Sequence, residues 1–305
     1  MTLGADVARM DVIVPTFNNL DELKRCLGSI GSPASVGRVL VCVDGSTDET
    51  LAYLDGLTPG FELVTLAHPD GRNHGRAATR NLALSHLRAA FVLLLDSDMQ
   101  LTSGALARHV DLLDRRRCVS IGAIAYTNAR ENLWPRYLMT RGANKSSSGS
   151  EVRPLDFVTA NSAMWTEDLL ASGGFDTSIH GYGGEDTELA LRLHEVGLPF
   201  VSNAEAVATS VEAKSVSEGL AELRRYGATN LRTTRSRHPE LPAPYLVDRL
   251  ESPKIPDRLF ALLLNPVTDA IANLLIRVPW FPLQRRALNY KVLREVWSGY
   301  REAAA

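Results

Sequence analysis

Cysteine is scarce in this 305-residue sequence, and the three that occur are scattered. Cys26, Cys42 and Cys118 have no neighbours at the spacing of a zinc site, which excludes a cysteine-based metal centre. Cys42 lies inside the apolar run from Val39 to Val43 and is expected to be a small core residue. Unpaired, scattered cysteines favour a reducing compartment.

Long apolar runs are also missing. No uninterrupted stretch reaches the length of a membrane span. Residues 1–10 lack an apolar segment of signal-peptide length, so we expect the protein in the cytoplasm.

A strong excess of charge of either sign is absent, since the formal net charge is −2. Basic residues are nevertheless concentrated near the C-terminus, where 224–302 contains 14 Lys and Arg against 7 Asp and Glu. This distribution argues against a general nucleic-acid binder and suits a basic tail facing phosphates or an anionic surface. A solvated face of basic helices explains it equally well.

The hydrophobic content of 45% is enough for a proper core, and strand and helix patterns alternate along the first half. Such repeated units predict an α/β fold with a Rossmann-like, mostly parallel sheet flanked by helices. We expect a catalytic domain over 1–240, with a nucleotide-binding half at 1–125 and an acceptor-binding half at 126–240, and a helical C-terminal extension over 241–305. The predicted strands are 11–15, 38–43, 61–66, 91–95, 119–125 and 156–164. The predicted helices are 20–30, 47–57, 75–87, 104–116, 167–171, 185–196 and 215–237.

The stretch from Phe91 to Gln100 is the most informative. Its apolar run suits a buried strand, and Asp96 and Asp98 follow at once. Ligands of open α/β sheets bind at the carboxyl ends of the strands, so both carboxylates stand where one divalent cation could be held. An Asp-x-Asp pair alone is weak evidence for a metal site, because acidic turn residues after strands are common.

Other polar residues also follow, or lie close to, predicted strand ends. Thr16, Asp44, Arg80 and Asp96 are expected to share one crevice. There Asp44 could accept a hydrogen bond from a base, Arg80 could pair with phosphate oxygens and Asp96 could accept from a ribose hydroxyl. Each has an ordinary alternative as a turn former or solvated residue, and their joint order favours the nucleotide site.

Six motifs in order resemble glycosyltransferase family 2 with the GT-A fold. They are Asp11-Val-Ile-Val-Pro-Thr-Phe-Asn-Asn, Val43-Asp-Gly-Ser-Thr-Asp, Gly75-Arg-Ala-Ala-Thr-Arg-Asn, Asp96-Ser-Asp, Gly173-Gly-Phe-Asp and Gly183-Gly-Glu-Asp-Thr-Glu-Leu. The resemblance covers the first two-thirds of the chain. It implies a nucleotide-diphospho-sugar donor, usually with uracil as the base, a Mn²⁺ or Mg²⁺ ion, and inverting sugar transfer to an acceptor hydroxyl.

The resemblance and the chemistry together assign residues to roles. Asp186 is the expected general base and Glu185 is expected to orient acceptor hydroxyls, although acidic residues are also favourable in any first helical turn. Asp98 matches the metal-binding carboxylate, with Asp96 and Glu212 as further candidates. The nucleotide-binding candidates are Pro15, Thr16, Asn18, Asp44, Ser46, Gly75, Arg80, Asp96 and Ser97. The acceptor-binding candidates are Asn161, Trp165, Tyr182, Gly183 and Gly184.

Two departures from the family pattern bear on this site. Val43 stands where relatives often have a second aspartate, and the stretch from Val207 to Glu212 lacks the histidine that many relatives use as a metal ligand. Ser210 and Glu212 are the candidates to replace this ligand, and we expect weaker or less selective metal binding.

Two other functions compete with sugar transfer. One is a degenerate, non-catalytic sugar-nucleotide-binding or scaffold protein. The other is a nucleotidyltransferase, which would require a glycine-rich basic loop near the N-terminus.

Two segments have open interpretations. The polar stretch 141–150 is either a short linker or a lid over the substrate. The apolar and basic tail from Asp257 onward packs on the catalytic domain, forms a homodimer, or binds the inner face of an anionic membrane peripherally. The expected acceptor is a small molecule, a glycan or a lipid-linked molecule.

Overall fold

The computed structural model describes residues 10–31, 35–239 and 244–302. The prediction about an N-terminal signal segment concerns residues 1–10, of which 1–9 lie outside the described part. The chain divides into two compact units. One runs up to Arg130 and adds Leu138–Gly181 and Glu185–Glu212, and the other consists of Glu131–Tyr137, Tyr182–Gly184 and the chain from Ala213 onward.

The first unit is built on an eight-stranded mixed sheet. Its strands are β1 Met10–Thr16, β2 Val36–Val43, β3 Glu62–Ala67, β4 Phe91–Leu95, β5 Gln100–Leu101, β6 Val119–Tyr126, β7 Asn161–Trp165 and β8 Phe200–Ser210. They lie in the order β3-β2-β1-β4-β7-β6-β8-β5. The pairs β1–β2, β2–β3, β1–β4 and β6–β8 are parallel. Strand β7 is antiparallel to both β4 and β6, and β5 is antiparallel to β8.

Helices cover both faces of this sheet. They are α1 Leu20–Ile30, α2 Thr50–Gly56, α3 Arg76–Asn81, α4 Ala105–Arg115, α6 Thr166–Ala171 and α7 Glu185–Glu195, while α5 Leu133–Leu138 lies mostly in the second unit. Alternate strand residues enter two separate apolar clusters: Val12 packs with α1 and α4 on one face, and Ile13 packs with α6 and α7 on the other. Burial on both faces explains why the central strands read as continuous apolar runs.

The sequence missed or misplaced several elements. Strand β8 was not predicted, and the strand predicted over 156–164 is instead a 3₁₀ turn at Pro154–Asp156 followed by β7. The helix predicted over 75–87 ends at Asn81, and a separate 3₁₀ turn follows at Leu84–His86.

The segment 141–150 is tied to the sheet. The Asn144 side chain accepts a hydrogen bond from the Ile124 amide at 2.9 Å and donates to the Ile124 carbonyl at 2.8 Å. Farther along, Gly149 donates to the Ser202 carbonyl at 2.7 Å. The segment is therefore bonded to both β6 and β8. Its role as a lid stays a prediction.

The second unit is helical. Beside α5 it contains α8 Val216–Ala228, α9 Asn230–Arg237, α10 Val247–Glu251, α11 Ile255–Leu262, α12 Pro266–Arg277 and α13 Phe281–Glu302. The helix predicted over 215–237 breaks at Thr229, which has φ −118° and ψ −87°. Its start is confirmed, because Ser215 and Glu218 form a reciprocal capping box.

Helices α8 and α13 pack with their backbones in close contact. A Cβ atom at Gly227 would lie 2.1 Å from the Val296 carbonyl oxygen, and one at Gly299 would lie 1.9 Å from that of Arg224. This contact joins 216–228 to the C-terminal helix, and both belong to the second compact unit, whose last segment begins at Ala213. The domain boundary at 240 stays a prediction.

No single helix among the described residues is long and apolar enough to cross a membrane. Helices α11 and α12 reach the required length and hydropathy only as a pair, and they are bent by 59° at the break between them.

Candidate active site

The site lies within the first unit, where the carboxyl ends of β1, β2 and β4 share one edge of the sheet. Thr16 ends β1, Asp44 follows β2, and Asp96 to Asp98 follow β4. Strand β6 runs in the same direction as β4, since both are antiparallel to β7, so Tyr126 ends at the same edge. These strand ends therefore meet at one edge of the sheet, and the nucleotide crevice expected there stays a prediction.

A buried arginine connects two of the predicted acidic residues. Arg80 is 2% exposed, and its Nη2 donates to Asp96 Oδ1 at 2.8 Å while Nη1 donates to Glu185 Oε1 at 3.3 Å. Burial alone would lower the pKa of Arg80, but Asp96, Asp186 and Glu185 raise it, so the guanidinium stays charged. The expectation that Arg80 itself pairs with phosphate does not fit this enclosure, because its guanidinium is engaged by two carboxylates.

Asp186 lies beside this ion-paired group. Its Oδ1 accepts from the Thr159 hydroxyl at 3.1 Å and its Oδ2 from the Thr159 amide at 3.4 Å. Desolvation and the charge of Glu185 raise the pKa of Asp186 to about 7, against the opposing effect of Arg80. A carboxylate with this pKa can hold or release a proton near neutral pH, as a general base must.

A second acidic group contains the Asp-x-Asp pair. Asp98 reaches the surface, but neighbouring protein atoms still shield its carboxylate from part of the solvent. This desolvation, together with the charge of Asp96, raises the pKa of Asp98 to about 6, with a smaller contribution from Glu212. A divalent cation would relieve this repulsion. Within the described ranges no three His, Cys, Asp or Glu side chains are grouped closely enough to hold a metal by themselves. The residues thus fit a cation that takes further ligands from a bound diphosphate and water.

Three residues near these carboxylates were not singled out from the sequence. Arg76 lies at the start of α3 and reaches the surface. Desolvation alone would lower the pKa of its guanidinium, but the charges of Asp96 and Glu185 raise it. Its position four residues before Arg80 places both on one helix face, a signal that the sequence did contain. Tyr126 also faces the acidic group: desolvation, then Glu212 and Asp98, raise its pKa. Nothing in the sequence pointed to Thr159.

Asp44 is 5% exposed and holds the loop before α3. Its carboxylate accepts from the His74 amide at 2.7 Å and from the Gly75 amide at 3.1 Å. His68 Nε2 lies 3.5 Å from the same carboxylate. Asp44 therefore shapes the loop that carries Gly75, and any contact with a base would use its remaining acceptor capacity.

The loops after β1, β2 and β4 are joined by side chains. Thr16 donates to the Asn19 side-chain oxygen at 2.5 Å, and the Asn19 amide nitrogen donates to Ser97 Oγ at 2.7 Å. Asn18, at a positive φ of 48°, donates through its backbone amide to Ser46 Oγ at 3.0 Å. With the half-buried Pro15, these residues line one continuous polar rim.

Two predicted acceptor residues do not fit that role. Asn161 is fully buried, and its amide nitrogen donates to the Ala123 and Ala206 carbonyls at 3.0 and 2.9 Å. The side chain thus bridges β7 to β6 and β8 inside the sheet. Trp165 pairs with Phe91 at the amino end of β4, the sheet edge opposite Asp96. The Asn161 assignment is wrong because its buried side chain is bonded to carbonyls of the sheet, although Asn161 itself pairs with Leu95 next to Asp96. The Trp165 assignment is wrong because β7 runs away from the edge that carries Asp96, a direction that was not readable from the sequence.

The remaining acceptor candidates belong to the second unit. The Asn230 amide donates to the carbonyls of Tyr182, at 3.3 Å, and Gly183, at 2.5 Å. Gly184 has φ 103°, and a Cβ there would lie 2.8 Å from that of Asn230. These contacts hold the backbone of residues 182–184, the loop that immediately precedes Glu185.

The family models match this part of the chain. The model described as "Glycosyl transferase family 2" matches residues 11–170, and that described as "N-terminal domain of galactosyltransferase" matches 145–212. The chain is similar to the uncharacterized glycosyltransferase YfnE of Bacillus subtilis, at 22% identity over 71% of this chain and 68% of YfnE. It is 24% identical to a validoxylamine A glucosyltransferase of Streptomyces hygroscopicus subsp. jinggangensis over 66% of this chain, which spans only 54% of that protein.

Solved structures share the fold. The mannosyltransferase PcManGT from Pyrobaculum calidifontis, in complex with GDP-Man and Mn²⁺, matches with a TM-score of 0.66 at 18% identity, over 96% of this chain and 88% of that one. S. aureus TarS 1-349 in complex with UDP-GlcNAc matches with a TM-score of 0.56 at 18% identity, over 96% and 92%. The predicted GT-A fold is confirmed. With more than half of its length matched by the family model, the chain belongs to glycosyl transferase family 2 and is a glycosyltransferase.

Proposed function

We propose that this glycosyltransferase moves a sugar from a nucleotide-diphosphate donor, with UDP as the first choice of carrier, to an acceptor hydroxyl with inversion. The observation that carries the proposal is the placement of Asp186. Its pKa is raised to about 7 beside an ion-paired group formed by Arg80, Asp96 and Glu185. This puts a base suited to neutral pH next to the residues that would face the donor.

The donor would lie along the polar rim at the carboxyl ends of β1, β2 and β4. Asp44 and the Thr16–Asn19–Ser97 chain offer acceptors for the base and ribose. Asp98, with Asp96, would hold a Mn²⁺ or Mg²⁺ ion, which when bound neutralises charge on the diphosphate. Arg76, in place of the enclosed Arg80, is our candidate for direct contact with phosphate oxygens.

In the transfer step Asp186 accepts the proton of the acceptor hydroxyl as its oxygen bonds to the anomeric carbon. The bond from that carbon to the phosphate oxygen breaks, and the nucleoside diphosphate leaves with the electron pair. Attack opposite the leaving group inverts the anomeric centre. Arg80 holds the carboxylates of Glu185 and Asp96 through its two hydrogen bonds, so its role is positioning.

The identity of the donor, the acceptor and the metal ion is less closely defined than the reaction. PcManGT was solved with GDP-Man and Mn²⁺ and TarS with UDP-GlcNAc, so both bases are chemically reasonable for this fold. The acceptor stays open between a small molecule, a glycan and a lipid-linked sugar. We still expect weaker or less selective metal binding, because the protein supplies only two carboxylates as ligands to the cation.

The test is a donor panel of uridine and guanosine diphosphate sugars, each with Mn²⁺, Mg²⁺ or a chelator. We expect release of a nucleoside diphosphate and free sugar with one base, dependent on a divalent ion. Release of pyrophosphate would instead indicate nucleotidyl transfer. Folded protein that neither binds nor cleaves any donor would support the degenerate alternative, and proton NMR of the first glycoside product would decide between inversion and retention.

A further inference from the structure

Helices α11 and α12 expose an ordered apolar surface. Six aliphatic side chains on them are between 49% and 73% exposed, and within each helix their spacing of three or four residues places them on one side. They are Ile255, Leu259, Leu262, Val267, Ile271 and Leu274. We call this set the apolar stripe. Contiguous exposed apolar surface of this kind marks an interaction site more often than scattered single residues do.

The opposite face of α12 fixes this orientation. Asp269 Oδ1 lies 2.7 Å from Lys291 Nζ and 3.4 Å from Arg294 Nη1 of α13. The Thr268 hydroxyl is 2.9 Å from that of Tyr290, and Ala272 is buried. The polar side of α12 thus faces the unit to which it belongs, and its apolar side faces outward, which is the reverse of an ordinary surface helix.

The charges around the stripe are mostly positive. Residues 252–290 contain five basic and two acidic residues, and both acids are ion-paired, Asp257 with Arg249 and Asp269 with Lys291. Arg277, Arg285 and Arg286 are exposed, as is Trp280 at the end of α12. Basic residues and tryptophan beside an apolar face are typical of a helix lying in a membrane interface.

We propose that α11 and α12 lie flat on an anionic lipid surface, with the apolar stripe inserted below the headgroups. Two copies of this face brought together would oppose like charges, whereas anionic headgroups would neutralise them. The 12 residues of α12 span only about 18 Å, short of the roughly 30 Å hydrocarbon layer, and α12 is held to α13 along its other side. The proposal concerns this surface alone and does not depend on sugar transfer.

The experiment is vesicle flotation of the full chain without donor, using phosphatidylcholine with or without phosphatidylglycerol. We expect binding only when the anionic lipid is present, and weakening as salt rises. The double variant L262E/L274E should lose binding by roughly 30-fold or more, and R285Q/R286Q by roughly 10-fold. The matched control V196E changes an 80% exposed valine at the end of α7 and should bind like the parent.

Three results would overturn the proposal. One is equal flotation with and without anionic lipid, and another is resistance to extraction by alkaline carbonate, which would indicate a spanning segment. The third is a dimer in light scattering that L262E/L274E dissociates, with no vesicle binding by the parent. Because the altered residues are exposed, circular dichroism of each variant should match the parent and so exclude misfolding.

Discussion

At the scale of single residues, the carboxylate of Asp186 determines the expected pH dependence. A base must be unprotonated to act, and desolvation raises its pKa to about 7. We therefore expect kcat/KM to fall as pH drops below about 7 and to level off above it. Asp186→Asn should reduce kcat by roughly 10²–10⁴-fold and leave donor binding intact. An unchanged pH profile in the variant would assign the base elsewhere.

The same pKa has a consequence for stability. The folded state binds the Asp186 proton more tightly than the unfolded chain, so this group lowers the free energy of unfolding as pH rises from about 4 to 7. Asp186→Asn imitates the protonated form. We expect the variant to be more stable than the parent at pH 8, by at least about 1 kcal/mol, and similar at pH 4. Urea unfolding at both values measures this, and a difference independent of pH would contradict it.

Arg76 is the proposed phosphate contact, and its removal tests the donor site. A charge-assisted hydrogen bond contributes about 1.5–3 kcal/mol, so Arg76→Gln should weaken nucleotide binding by roughly 10–100-fold. Calorimetric titration with the nucleoside diphosphate measures the loss. Arg108→Gln, which alters an exposed arginine of α4 that pairs with Glu205, should leave binding unchanged. Equal effects in both variants would indicate general charge rather than a contact.

At the scale of elements, two glycines allow α8 and α13 to touch. Gly299→Ala would place a Cβ 1.9 Å from the Arg224 carbonyl oxygen, so the helices must separate. We expect a loss of about 1–3 kcal/mol in unfolding free energy. Gly28→Ala is the control, because Gly28 lies in α1 with nothing within 4 Å of the added atom, and it should stabilise by about 0.5–1 kcal/mol. Thermal unfolding of both variants makes the comparison, and equal midpoints would contradict it.

The elements also show how far the sequence could lead. Helix α1 and strand β4 were predicted at their observed bounds, because strong local periodicity and burial on both faces act within a few residues. Strand β8 was missed because its middle, Ser202-Asn-Ala-Glu, is polar and small, and it is a strand through its pairing with β6 and β5. The same limit applies to Asn161, whose burial depends on Ala123 and Ala206. Asp44, Asp96 and Asp98 could be found because they follow β2 and β4 directly.

At the scale of the whole molecule, the sheet of the first unit is assembled out of sequence order. Strand β8 lies between β6 and β5, so the part matched by the family 2 model, residues 11–170, cannot complete it. A chain ending after residue 170 would leave β6 open on one edge. We expect that fragment to be insoluble or poorly folded, measured by its soluble fraction, whereas a soluble, cooperatively unfolding fragment would contradict this.

The late arrival of β8 also affects synthesis on the ribosome. About 80 residues separate the ends of β6 and β8. At roughly 5–20 residues per second, β6 waits about 4–17 seconds for its neighbour. During that interval an apolar strand with a free edge can pair with another nascent chain. Slowing translation across 127–200 should therefore lower the yield of native protein, and a chaperone that covers extended apolar segments should restore it.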